Sequence, residues 1–297
     1  MDSALKFNKI SGVNQVVIGA TLMSVATTLP EVFVSIFAVV SGNHGIAVGN
    51  AVGSMISNIA LVLALYMVFM PHRVSRRALI GKVFYLFIAT GMVFLFATNY
   101  SIGWFEGFLL LIVFVAFLLI SLQGKESDKV VEVVVKKEKT SRKEVWSVVG
   151  GLLAGQVMLV VGAFLLVDHG ERLAHLVGVS ETVVGLTVIA IGTSVPELVT
   201  CIVSIRKKSG ELALGNIIGS AIISCTLLIG ICALVGDIYG PDLALSRDIF
   251  LISLPFLFVI YCVAIVPMML KARTYRWQGI ALLSLYVFYV GYLVVVN

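Results

Sequence analysis

The chain has 297 residues, 60% of them hydrophobic and 12% charged, with a mean hydropathy of +1.08 and a formal net charge of +5. That balance excludes an ordinary soluble domain and fits an all-α polytopic membrane protein whose first partner is the lipid bilayer. The four cysteines (Cys201, Cys225, Cys232 and Cys262) fall inside apolar runs without CxxC spacing. A disulfide framework or a thiolate zinc site is therefore not expected.

Residues 1–14 carry two lysines and no apolar core of their own, so no cleavable signal peptide is expected there. Apolar spans follow at about 13–40, 45–70, 78–98, 102–123, 145–170, 179–205, 211–236, 247–270 and 277–296. Each approaches the ~20 residues that cross a bilayer. The first, second, sixth and seventh are rich in Gly, Ser, Thr and Asn, and the others are plainer and read as scaffold. Nine crossings place 19 of the 21 basic residues on one side, leaving only Arg172 and Arg247 opposite. The positive-inside rule then predicts a multi-pass protein of the inner or plasma membrane, with a cytoplasmic N-terminus and an external C-terminus. Residues 124–144 form a linker dense in both charge signs, read as a solvated cytoplasmic loop.

The linker separates two halves that repeat each other. At a constant offset of 166 residues, 13–64 overlays 179–230 with 15 identities in 52. The shared residues include Thr27/Thr193, Pro30/Pro196, Glu31/Glu197, Gly49/Gly215, Asn50/Asn216, Gly53/Gly219 and Ser54/Ser220. The copies begin five crossings apart and so enter the membrane from opposite faces. This predicts inverted α-repeats: 1–123 with four spans, then the loop, then 145–297 with five. Repeats of this kind place a substrate site at their interface near the midplane.

The stretches Ala26-Thr27-Thr28-Leu29-Pro30-Glu31 and Gly192-Thr193-Ser194-Val195-Pro196-Glu197 carry the chemistry. A carboxylate at the bilayer centre costs roughly 3 kcal/mol, so it is expected to face an ion, a partner or a cavity. Proline has no N–H and interrupts the helix ladder, which predicts discontinuous core helices with carbonyl oxygens available to a cation. The glycines of each repeat's second motif, Gly49-Asn50-Ala51-Val52-Gly53-Ser54 and Gly215-Asn216-Ile217-Ile218-Gly219-Ser220, read as close-packing positions. Its polar residues have no packing reason to be polar. Ser54 and Asn58 lie four apart on one helical face, as do Ser220 and Ser224. Two carboxylates with hydroxyl and amide oxygens form a hard-oxygen set suited to Ca²⁺ or Na⁺, or to two protons. No catalytic triad, phosphate loop or redox motif appears, so neither an enzyme nor a resident cofactor is expected. A nucleic-acid partner is not expected either.

These paired motifs resemble the α-repeats of the cation/calcium antiporter superfamily, and of prokaryotic Na⁺/Ca²⁺ exchangers in particular. The resemblance implies that Ca²⁺ is exchanged for Na⁺ by alternating access, with Glu31 and Glu197 as the Ca²⁺ carboxylates. It further implies backbone oxygens from Thr27 and Thr193, flanking Na⁺ sites at Thr28, Ser54, Ser194 and Ser220, and Asn58 in the middle. The chain departs from the family pattern in three ways. Ser224 stands where the archaeal pattern has an acidic residue. Ala26 and Thr28 stand where Gly and Ser are usual. The family's first helix has no counterpart before Val13, where Ser3–Gly12 resembles only its tail. The alternatives are an antiporter coupled to H⁺ or carrying another divalent ion, and a homologue that binds or leaks cations without exchange. Three explanations of the absent helix stay open: a truncated start, a helix supplied by a homo-oligomer or partner subunit, or a chain that no longer alternates access.

Overall fold

The computed structural model describes residues 15–123 and 180–296, with isolated positions between 158 and 178. The charged loop 124–144, the N-terminal segment and nearly all of the expected fifth span lie outside the described residues. Among those described, seven helices are long and apolar enough to cross a membrane, or eight with a bent pair taken as one span. In chain order they are α1 (Gln15–Val40), α2 (His44–Phe69), α3 (Arg76–Phe96), α4 (Trp104–Gln123), the pair α5 (Glu181–Thr193) and α6 (Val195–Arg206), α7 (Gly210–Tyr239), α8 (Ile249–Lys271) and α9 (Arg276–Val296).

The helices sort by composition into a core and a belt. The Gly/Ser/Asn-bearing α2 and α7 are the most buried, 78% and 83% along their apolar stretches, against 22% for α4. Outward-facing positions of the belt are large and apolar: Phe84, Leu95, Phe105, Val287 and Phe288 are all exposed. Such a continuous apolar surface is stable only against lipid.

Close packing joins the repeats crosswise. A Cβ at Gly53 of α2 would stand 2.6 Å from the Leu186 carbonyl oxygen of α5, and one at Gly219 of α7 would stand 2.6 Å from the Cα of Ala20 in α1. Leu186 and Ala20 are themselves 166 apart. Gly19 likewise abuts Leu212 and Asn216, while Gly185 abuts Ile46 and Asn50. Each repeat's first helix therefore packs on the other repeat's second helix, which places both Glu-bearing segments at one interface. Small residues permit this backbone approach, where van der Waals packing replaces the hydrophobic effect.

The core helices are not uniform α-helices. π-helical turns occupy Gly19–Met23, Asn58–Leu63, Gly185–Ile189 and Ser224–Leu228, again in pairs offset by 166. The two proline motifs are interrupted differently. Helix α1 stays helical through Pro30, whereas α5 and α6 meet at Ser194 with a 41° bend. Pro196 lies in the first turn of α6, where its missing N–H has no intrahelical acceptor to lose.

Both ends of the bundle are closed by loops from different halves. At one end β1 (Ser101–Ile102) pairs antiparallel with β2 (Leu243–Ala244), and His44 Nδ1 accepts from Ala244 N–H at 3.1 Å. At the other, Arg73 bridges Arg273, Val74 N–H donates to Ala272 O at 2.9 Å, and Thr274 N–H donates to His72 O at 3.0 Å. The His72 ring sits against the Tyr66 hydroxyl, 2.7 Å from Nδ1. Burial lowers its pKa below the ordinary 6.5.

Candidate cation-binding site

All ten residues expected at the site are buried, and Glu31 and Glu197 have no exposure at all. Ser194, three residues before Glu197, hydrogen-bonds Glu31 and so joins the two carboxylate-bearing segments. Glu31 comes from α1, one turn past Thr27, and Glu197 from the first turn of α6 just beyond the bend at Ser194.

Asn50 and Asn216 frame the pair. Thr193 Oγ1 donates to Asn50 Oδ1 at 2.9 Å, and Thr27 Oγ1 donates to Asn216 Oδ1 at 3.4 Å. Asn50 Nδ2 in turn donates to the Glu31 carbonyl at 3.1 Å and to Ser35 Oγ at 2.9 Å, while Asn216 Nδ2 donates to Thr200 Oγ1 at 3.1 Å. Asn216 thus ties α7 to the Glu-bearing α1 and α6, and Asn50 ties α2 to α1 and to the end of α5 just before the bend. The Thr27 and Thr193 hydroxyls are consumed in this frame. The sequence reading counted both asparagines within the motif but left them out of the candidate ligands. Their recurrence at the 166-residue offset was the available signal.

The carboxylates themselves are served unequally. Glu31 accepts from Ser194 Oγ on Oε1 at 3.2 Å and from Ser224 Oγ on Oε2 at 2.8 Å. Glu197 accepts from Ser220 Oγ on Oε1 at 3.1 Å, and its Oε2 has no hydrogen-bond partner. The repeat partners of Ser194 and Ser224 are Thr28 and Asn58. The Thr28 hydroxyl and both polar atoms of the Asn58 amide are also buried without partners. An orphaned buried polar group costs about 1–3 kcal/mol, and Glu197, Thr28 and Asn58 all carry one.

The donor set is carboxylate, hydroxyl and amide oxygen. Among the described residues no three His, Cys, Asp or Glu side chains group to hold a metal, so a softer transition-metal centre has no ligands here. The three unsatisfied oxygens Glu197 Oε2, Asn58 Oδ1 and Thr28 Oγ1 are hard ligands of the type alkali and alkaline-earth cations accept. Ser57, absent from the expected set, stands beside the site with its hydroxyl 2.9 Å from Ser194 Oγ.

The chain is similar to known proteins in sequence and in fold. The family model described as sodium/calcium exchanger protein matches residues 1–123 and 147–295. An uncharacterised membrane protein of Methanocaldococcus jannaschii is 31% identical over 275 residues, covering 93% of this chain and 85% of that protein. The sodium/calcium exchanger MaX1 of Methanosarcina acetivorans is 26% identical over 99% of this chain and 92% of its own length. A solved structure of the sodium-calcium exchanger NCX_Mj soaked with Na⁺ and Sr²⁺ superposes with a TM-score of 0.71 at 28% identity. It covers 97% of this chain and 91% of that one.

Proposed function

We propose a function from one premise: the chain belongs to the sodium/calcium exchanger protein family. It is a secondary antiporter that exchanges Ca²⁺ for Na⁺, the cation held between Glu31 and Glu197 at the interface of two inverted repeats. The observation that carries this reading is a pair of fully buried carboxylates, Glu31 and Glu197, with buried oxygens of Glu197, Asn58 and Thr28 left without hydrogen-bond partners. A cation placed there would satisfy those oxygens and neutralise the pair in one step.

Obligatory exchange follows from the same electrostatics. Two ionised carboxylates in a medium of low dielectric repel each other and lose their hydration, so the empty charged site resists passage through an occluded state. One Ca²⁺ or two Na⁺ would each cancel the two negative charges, and either load lets the repeats rearrange around the site by alternating access. Ser224 adds a hydroxyl but no charge, so the site's neutralisation is set by Glu31 and Glu197 alone. The basic end of the bundle, at Arg73 and Arg273, faces the cytoplasm in this reading.

The test is ⁴⁵Ca²⁺ uptake into proteoliposomes holding the purified chain. Uptake driven by an outward Na⁺ gradient, and not by a pH gradient alone, is the expected result. Uptake driven by the pH gradient alone would replace Na⁺ with H⁺ as the coupling ion. Uptake indifferent to both gradients would make the protein a passive pathway.

A further inference from the structure

We infer that Ser57 is a further oxygen of the cation site, and that it makes the two monovalent-ion positions beside the carboxylates unequal, the one at Glu31 and Ser194 binding Na⁺ more tightly. This rests on the exchange reading above and deepens it.

Ser57 has no exposure and lies at the C-terminal end of the regular part of α2, one residue before the π-helical turn that begins at Asn58. Its hydroxyl has two partners within reach: Ser194 Oγ at 2.9 Å and the carbonyl oxygen of Ser54 at 3.1 Å. A serine carries one hydrogen and two lone pairs, so only one of these contacts is a donation by Ser57 at any moment. When Ser194 donates to Glu31 Oε1, the Ser57 hydrogen points to Ser194 and polarises that donation. When a cation takes up Glu31 Oε1 and Ser194 Oγ, the Ser57 hydrogen turns to the Ser54 carbonyl. A Ser57 lone pair then faces the ion. The exchange needs only a hydroxyl rotation, with no movement of heavy atoms.

Charge favours a monovalent ion here. Ser194 is a neutral hydroxyl on one carboxylate oxygen and Ser57 a second neutral hydroxyl behind it, a set that balances a single positive charge. A divalent ion needs both glutamates. Oxygen ligands at neutral hydroxyls suit Na⁺, whose charge demands fewer anionic ligands than Ca²⁺.

The repeat supplies the internal control. The partner of Ser194 is Thr28, and the partner of Ser57 at the same offset is Ile223, fully buried and without a polar atom. The Thr28 hydroxyl is correspondingly left without a hydrogen-bond partner. One side therefore has a hydroxyl pair, where the other has a hydroxyl without a hydrogen-bond partner and an apolar side chain at the offset position. Offset symmetry makes Ser57 against Ile223 one of the differences between the two sides that a single substitution can test.

The experiment titrates Na⁺ against bound ⁴⁵Ca²⁺ on the purified full chain, and separately measures ⁴⁵Ca²⁺ affinity without Na⁺. Ser57→Ala is expected to raise the Na⁺ concentration for half-displacement by about 3- to 10-fold, the range for one lost hydrogen-bonding oxygen. Ca²⁺ affinity should move less than about 2-fold. Ile223→Ser, which gives Thr28 the missing partner, should lower the Na⁺ requirement and bring the two positions closer in strength. A Ser57→Ala protein with an unchanged Na⁺ requirement overturns the inference, as does an equal loss of Na⁺ and Ca²⁺ affinity. If Na⁺ fails to displace ⁴⁵Ca²⁺ from the unmodified protein, the exchange reading itself fails, which is a separate result.

Discussion

Around Glu31 both carboxylate oxygens accept hydroxyl hydrogens, from Ser194 and Ser224; around Glu197 only one does, from Ser220. The two neighbourhoods descend from one repeated pattern, and the frame that holds them is shared down to the Thr193–Asn50 and Thr27–Asn216 contacts. The difference comes from substitutions at three offset pairs: Thr28 against Ser194, Asn58 against Ser224, and Ser57 against Ile223. A repeat thus fixes where the candidate ligands stand, and single substitutions within it decide which side is hydrogen-bonded and which keeps unsatisfied oxygens. Symmetry of backbone does not impose symmetry of chemistry.

The largest expected effect removes either charge. Glu31→Gln and Glu197→Gln should each lower calorimetric Ca²⁺ affinity by at least about 100-fold, because a lone buried carboxylate cannot offset a divalent charge. Normal affinity in one variant would show that only one half of the pair binds. Next come the crosswise contacts. Gly53→Ala and Gly219→Ala each drive a Cβ into backbone of the opposite repeat and should cost about 1–3 kcal/mol of thermal stability, in equal measure if the frame is symmetric. Gly81→Ala, with open space around its Cβ position, is the control and should leave melting unchanged.

A finer contrast separates the two sides. Ser224→Ala strips the donor from Glu31 Oε2 and should destabilise the ion-free protein by about 1 kcal/mol. Asn58→Ala removes two polar atoms that have no partner, so the ion-free melting temperature should hold or rise while Ca²⁺ affinity falls. Equal melting losses in both variants would erase the distinction.

The smallest effect lies away from the site, at His72. Its folded-state pKa is lowered by burial, so the fold favours the neutral ring. The associated stability is present above the ordinary value of 6.5 and is lost as pH falls through the folded pKa. Melting temperature should therefore decline as pH falls below 6.5, and His72→Gln should flatten that decline.

Much of this was legible in the sequence because it rests on patterns the chain repeats. Apolar runs gave the described helices to within a few residues, and a carboxylate beside a proline in hydrocarbon marked Glu31 and Glu197 before any coordinates. Other features depend on three-dimensional detail. Nothing in Pro30 and Pro196 announces that one helix continues through its proline while the other bends at Ser194. The π-helical turns at Asn58 and Ser224 are register shifts within helices whose hydrophobic pattern reads as ordinary. The Ser57–Ser194 contact joins residues 137 apart and follows from how α2 meets the bend.

The measurement that bears most directly on the central claim is the anomalous diffraction of Sr²⁺ in crystals of this protein grown without Na⁺. The account predicts one strong peak between the carboxylates of Glu31 and Glu197, roughly 2.5 Å from Glu197 Oε2 and Asn58 Oδ1, as hard-oxygen coordination requires. A peak only at peripheral carboxylates such as Glu106 and Asp242, with the buried pair left empty at saturating Sr²⁺, would contradict it.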